Sequence, residues 1–292
     1  MTIDKFSAIF GLYAETSIHA GAGESLGVID LPIMRENTTG WPCIFGSAVK
    51  GAMRAKATEA QLSLIDEIFG PETTNAAEHA GAIASNDARL LLLPMRSLSG
   101  HFKWATCPAV LEAALNCAKR FGYENLPDIP EPESNQALQN YSNDEPVVYL
   151  EQYQFITEKK DLTQLIEWLS KFMPNPNKAK SKLEKQLVII DNDIFSDMAK
   201  SKTPVNQHNS IEYSTKTTKP GALWTEETLP PDTVLYLPIY VNQSRKAGSE
   251  TNSEAMFKSI TENILNNYLQ VGANETVGMG WFQVVQLNRS SI

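Results

Sequence analysis

The apolar patterning of the chain predicts an α+β fold, with helices packed on a mainly antiparallel sheet. Three observations carry this. Strand-like and helix-like periodicities alternate from one end to the other, and no short internal repeat is visible. The 292 residues, 42% of them hydrophobic, can bury a substantial core as one large domain or two smaller ones. No long apolar stretch or N-terminal signal pattern occurs, so a cytoplasmic protein with no membrane contact is expected.

Taken in order, residues 6–16 read as a strand. Residues 47–60 form an amphipathic helix, because Ala48, Val49, Ala52, Met53 and Ala57 recur with helical period while Lys50, Arg54 and Lys56 supply charge. A second helix is expected at 61–69, a strand at 81–93 and a helix at 108–121. Beyond an acidic loop, 147–156 reads as a strand, 161–172 as a helix and 186–191 as a buried strand. Strand, helix and strand follow at 233–241, 254–268 and 281–287. The stretches near 122–146 and 174–220 read as insertions, and irregular segments of that length are uncommon without a role.

The net charge of −9 argues against a phosphate binder, because such affinity depends on Lys and Arg neutralising the backbone. Six of those nine charges lie in 124–145, where Glu124, Asp128, Glu131, Glu133, Asp144 and Glu145 have no basic neighbour in sequence. The remainder is near balance. Fields are local on the scale of a Debye length, about 8–10 Å, so the basic clusters Lys50/Arg54/Lys56 and Arg89/Arg96/Lys103 can still line a groove. Cys43, Cys107 and Cys117 lack metal-like spacing and read as reduced core thiols. No Ser-His-Asp or Cys-His set suggests a covalent protein nucleophile.

Residues 26–54, LGVIDLPIMRENTTGWPCIFGSAVKGAMR, concentrate the chemistry. Asp30 is a lone carboxylate in an apolar run, Arg35-Glu36 reads as a structural pair, and Gly46-Ser47 opens the first helix with Ser47 as a suitable N-cap. Uncapped N–H groups there, with Lys50 one turn in, would favour a phosphate; an ordinary surface helix fits the same spacing. By itself, an Asp before Leu-Pro reads as a turn or cap. Gly272, Gly278 and Gly280 permit positive φ and close approach, so backbone N–H groups of that loop could contact phosphate or ribose. Neither the Walker pattern nor a strand-GxGxxG-helix unit is present. The polar, aromatic and basic mix of 192–220 suits single-stranded RNA, or equally a solvated connector.

Four ordered blocks resemble the RAMP superfamily, specifically the repeated backbone subunit of the type III-B (Cmr) CRISPR effector complex. They are Leu12-Tyr13-Ala14-Glu15-Thr16 with Ile18-His19-Ala20-Gly21-Ala22-Gly23 and the 26–54 segment; Asp87-Ala88-Arg89 through Leu98 with Trp104-Ala105-Thr106-Cys107-Pro108; Gly221-Ala222-Leu223-Trp224 through Pro231; and Val271 through Trp281. The resemblance implies one RAMP-type RNA-binding domain spanning 1–292, with a ferredoxin-like, RRM-related βαββαβ core and long insertions including a thumb-like hairpin in the 174–220 region. It implies a guide-RNA (crRNA) binder, stacked in several copies as a helical filament with other Cmr-type RAMP subunits, that cleaves target single-stranded RNA through Asp30.

A loosely held Mg2+ or Mn2+ at Asp30 would assist. His19 and Glu226 stand beside Asp30 as further catalytic candidates, although Thr228 occupies a place where the family often has an aromatic. Gly46, Ser47, Lys50, Arg54, Arg35, Arg89, Gly272, Gly278 and Gly280 are the implied RNA contacts. A non-catalytic RNA scaffold and a stand-alone RAMP-type ribonuclease processing precursor guide RNA are the competing readings.

Overall fold

A computed structural model describes residues 6–75 and 77–289. A large, mostly antiparallel sheet runs through the chain, with the strand order β13-β14-β1-β12-β4-β5-β9-β6-β8-β7. Its central part comprises β1 (Ser7–Ala14), β4 (Ala88–Arg96), β12 (Val234–Val241) and β14 (Trp281–Gln286). The remaining strands are β2 (Cys43–Ile44), β3 (Ile83–Ser85), β5 (Phe102–Thr106), β6 (Gln136–Asn140), β7 (Val147–Leu150), β8 (Tyr153–Lys160), β9 (Leu187–Ile190) and β13 (Tyr268–Gln270). Among the strands of the described residues, β5 with β9 and β6 with β8 pair in parallel and the rest antiparallel.

Helices cover both faces, so the central strands are apolar almost without alternation: SAIFGLYA in β1 and VLYLPIYV in β12. One face packs Phe10, Leu12, Leu235 and Leu237 with Val49 and Met53 of α1 (Gly46–Glu59) and Met256 of α7 (Ser253–Ser259). The other packs Ile9, Trp104 and Tyr236 under α3 (Pro108–Arg120), α4 (Thr163–Ser170) and α5 (Pro176–Gln186). The helix α2 (Ile65–Phe69) is shorter than the 61–69 reading, because Gln61 adopts positive φ and ends the preceding helix.

A proline inside the central strand β12 has a local explanation. β12 pairs with β4 over Val234–Tyr236 and with β3 over Ile239–Val241, so Pro238 falls opposite the break between them. At that break no ladder N–H is required of it, and its carbonyl accepts from Asn86 N–H at 3.1 Å. The break also frees Asp87, which accepts the Gly46 N–H at 2.7 Å.

Several readings change. The 147–156 strand is a hairpin, β7 and β8, turned at Glu151 with positive φ. The acidic insertion is not only a loop, because β6 lies between β9 and β8 in the sheet. The 174–220 stretch holds α5, β9, α6 (Asn192–Ser201) and a two-stranded hairpin of β10 (Val205–Ile211) with β11 (Thr218–Glu227). Its polar residues misled the periodicity reading because this hairpin has two solvated faces at its tip and no core side.

Gly11 lies in β1 against the Phe172 carbonyl, where any Cβ would collide with backbone. Gly11→Ala is expected to destabilise the protein by about 1–3 kcal/mol, read as a fall in the urea midpoint with unchanged m-value.

Candidate functional site

β11 ends in three residues that hold three separate loops. Thr225 meets Asp30: its N–H and its hydroxyl both donate to Asp30 Oδ2, at 2.7 and 2.8 Å, and the Asp30 N–H donates back to Thr225 Oγ1 at 3.0 Å. The backbone joins in, with Leu31 N–H donating to Thr225 O and Glu227 N–H to Leu31 O, each at 3.0 Å. Asp30 itself is exposed. The Thr225 N–H, then its hydroxyl, hold the Asp30 carboxyl below the ordinary aspartate range.

Glu226, buried at 4% exposure, accepts from Asn274 Nδ2 at 2.7 Å. On the same face His208 stacks on Trp224 with ring centroids 5.6 Å apart and brings Nε2 to 3.8 Å from Glu226. Glu227, 2% exposed, accepts the Arg35 guanidinium, the Thr203 hydroxyl and, at 3.1 Å, the Ile33 N–H. Its carbonyl faces His19 Nδ1 at 2.7 Å, which makes Nδ1 the protonated nitrogen and fixes the tautomer of a buried ring.

The glycine loop closes this cluster from the far side. Ala273 N–H donates to His19 O at 2.9 Å and Gly280 N–H to Ser17 O at 3.0 Å. Gly272 and Gly280 have positive φ and sit where a Cβ would strike the His19 and Val271 carbonyls respectively; Gly278 alone faces open space. His19, Asp30, Glu226 and the glycine loop, separated by up to 261 positions between His19 and Gly280, therefore form one cluster.

The basic candidates separate into two kinds. Lys50 and Arg54 lie on α1, and partial burial, followed by the nearby Arg54 charge, lowers the Lys50 pKa. Beside Arg54 opens a groove of ≈ 890 Å³ between α1 and the β13–β14 edge, lined by Arg54, Lys56, Glu59, Glu275 and the rings of Tyr268 and Trp281, exposed at 40% and 39%. Arg54 Nη1 also donates to the Gly70 and Pro71 carbonyls at 3.0 and 3.1 Å. Lys56 is spent on the Ile264 and Tyr268 carbonyls.

Arg35 and Arg89 are bound internally. Arg35 donates to Gly40, Ala199, Lys200 and Thr203 besides Glu227, so it does not pair with Glu36 as the sequence reading had it. Glu36 instead takes Arg89 in a bidentate pair, at 2.6 and 3.2 Å, and that pair raises the Arg89 pKa.

The helix N-terminus also differs from expectation. Phe45, not Ser47, is the N-cap of α1, and Gly46 N–H is already given to Asp87. A carboxylate thus stands where an anion seat was expected, because Gly46 packs directly on the Ser85 carbonyl at the break in the sheet.

No helix among the described residues is long and apolar enough to cross a membrane. Among the described residues no group of three or more His, Cys, Asp and Glu converges as for a tight metal site. The three cysteines are free and buried, and burial pushes the Cys43 and Cys107 thiols up to about 12. The sequence reading missed Thr225 and Asn274 as holders of the acidic candidates. No periodicity marks either residue, since both act across chain separations of 195 and 48 positions.

A family model described as the RAMP superfamily matches residues 12–283. The chain is 35% identical over 282 residues to the CRISPR system Cmr endoribonuclease Cmr4 of Pyrococcus furiosus, covering 94% of each. It is 24% identical over 319 residues to the CRISPR system CMR subunit Cmr4 of Saccharolobus solfataricus, covering 99% of each. Among solved structures, oligomeric Cmr4 from Pyrococcus furiosus superposes with a TM-score of 0.73 at 27% identity, covering 96% of this chain and 97% of that one. A chain of the type III-B Cmr-beta complex bound to cognate target RNA has the same fold, with a TM-score of 0.72 at 20% identity and 96% coverage of both.

Breaking the internal ion pair tests the cluster's framework. Glu227→Ala is expected to cost about 3–5 kcal/mol, because it strands the Arg35 guanidinium; thermal unfolding of the purified chain reads it.

Proposed function

The chain belongs to the RAMP superfamily, and from that premise we propose that it is the guide-RNA-binding backbone subunit of a type III-B CRISPR effector complex, cleaving bound target RNA through Asp30. The 35% identity to a Cmr endoribonuclease over 94% of both chains supports the activity. The observation that carries the assignment to Asp30 is an exposed carboxylate held at one oxygen by Thr225, with Oδ1 accepting no hydrogen bond among the described residues. Several copies stack head to tail as an open helical filament with other Cmr-type subunits along crRNA, in the cytoplasm. The likeness to an oligomeric Cmr4 supports that stacking.

The whole chain acts as one RNA-binding unit with insertions. β14, β1, β12 and β4, ordered fourth, first, third and second with α1 and α7 as crossovers, are read as its ferredoxin-like core. The β10–β11 hairpin is its thumb, and exposed Tyr213 and Ile211 near the tip suit a wedge between strands. Lys50, Arg54 and the open Gly278 turn grip the guide without reading its sequence, because base pairing does the reading. Arg35 and Arg89, whose guanidiniums are committed to Glu227 and Glu36, serve the framework.

RNA brings its own nucleophile. The 2′-oxygen attacks the adjacent phosphorus, the P–O5′ bond breaks, the 2′-OH proton leaves and the 5′-oxygen gains one, giving a 2′,3′-cyclic phosphate and a 5′-hydroxyl. A splayed nucleotide reaches the in-line geometry that stacking forbids. Asp30, whose carboxyl the Thr225 hydrogen bonds hold below the ordinary aspartate range, is a weak proton acceptor. Its role is therefore negative charge held at a fixed point beside the scissile phosphate. Asp30 would be the residue that holds a hydrated divalent cation, through the carboxylate oxygen that Thr225 leaves free. When bound, Mg2+ or Mn2+ would supply charge neutralisation at that phosphate. His19 and Glu226, both buried, hold the Glu227 carbonyl and Asn274 of the glycine loop, and serve as framework behind Asp30.

Asp30→Asn is expected to slow target cleavage about 100-fold or more while assembly and target binding persist. Single-turnover cleavage by the guide-loaded complex in magnesium or manganese checks it; wild-type cutting would leave a non-catalytic scaffold as the better reading. Neutralising Lys50 and Arg54 together should weaken RNA binding about equally for all sequences and reduce the salt slope by about 2, measured by titration across salt concentrations.

A further inference from the structure

We propose that Thr225 is the positioning residue of the cleavage site, fixing one oxygen of the Asp30 carboxylate on the root of the thumb so that the other is presented to the RNA. This deepens the reading of Asp30 given above and rests on it. Asp30 closes a loop whose backbone is pinned at its ends, with Ser25 N–H donating to Asp30 O at 2.8 Å, but whose tip is loose: Leu26 and Val28 are almost fully exposed, and Gly23 has positive φ with open space around it. An aspartate in such a loop would sample its side-chain rotamers freely.

Two donors from one residue remove that freedom. The Thr225 N–H and hydroxyl converge on Oδ2, and the hydroxyl oxygen accepts the Asp30 N–H in return. The hydroxyl is thus both donor and acceptor within one closed ring of contacts, a role that a methyl group cannot fill. Thr225 is itself rigid, because the next two residues of β11 are anchored by Asn274 and by Arg35. The carboxylate therefore moves with the thumb. A strand that enters the RNA and the charge that acts on it form one unit, so seating the thumb also sets the carboxylate.

Thr225→Val keeps shape and the backbone N–H but removes the hydroxyl; Thr225→Ser keeps the hydroxyl. In the guide-loaded complex, Thr225→Val should cut target about 10- to 100-fold more slowly at saturating target, the scale of an ångström-sized misplacement, with target affinity within about twofold of wild type. Thr225→Ser should cut within about threefold of wild type. Amide exchange of peptide 22–34, measured without metal, should accelerate in Thr225→Val and not in Thr225→Ser, because the Asp30 N–H loses its acceptor.

Added to Asp30→Asn, Thr225→Val should slow cleavage no further. Thr225→Val cutting at the wild-type rate, while Asp30→Asn does not cut, would overturn the inference and leave Asp30 standing. Parallel loss of target binding or assembly in Thr225→Val would also overturn it, making Thr225 a framework residue. Wild-type cutting by Asp30→Asn would overturn both.

Discussion

The carboxylate of Glu227 is the contact from which the site is built. It is 2% exposed, and burial of a charge is tolerable only when it is paired and hydrogen-bonded. Arg35 and the Ile33 N–H, from the segment after Asp30, and Thr203, from the chain after α6, supply those partners. Because Arg35 also grips the Ala199 and Gly40 carbonyls, the same contact ties the loop after Asp30 to α6 and to the end of β11. With that end fixed, Thr225 and Glu226 have fixed directions, and the Asp30 loop and the glycine loop are drawn to the two sides of one strand.

Charge follows the same economy. An excess of nine negative charges does not spread evenly over the chain, because six of them lie in 124–145 and fields are local. Yet several of the basic candidates are committed inside the protein. Arg35 and Arg89 are held by carboxylates and Lys56 by the Ile264 and Tyr268 carbonyls, and of the α1 cations Arg54 and Lys56 line the groove with exposed aromatic rings. The Asp-Ala-Arg block is correspondingly a framework element: Asp87 caps α1 and Arg89 holds Glu36.

Glycines divide in a similar way. Gly272 and Gly280 are required by backbone contacts inside the protein, where a side chain would meet the His19 and Val271 carbonyls. Gly278 has positive φ and open space, so it is the one whose backbone can approach a ligand. A glycine-rich pattern in sequence does not separate packing from recognition, since both demand the missing Cβ.

The sequence by itself determined the class of fold and most of its central elements. Strands β1, β9, β12 and β14 and helices α1, α3 and α4 were legible because buried faces impose a period on their residues. It also determined that Asp30, His19, Glu226 and the glycine loop belong to ordered blocks. Tertiary structure alone decided what those residues touch. β6 and the β10–β11 hairpin show no local period because their residues are polar or supported by distant partners, the hairpin being expected only from the resemblance, whereas α5 and α6 went unread although Ala179/Leu183 and Phe195/Met198/Ala199 recur with helical spacing. The pairing of Arg35 with Glu227 rather than Glu36, and of Asp30 with Thr225, spans 192 and 195 positions. Such contacts are set by where the sheet places β11, a long-range consequence of packing that adjacent residues do not encode.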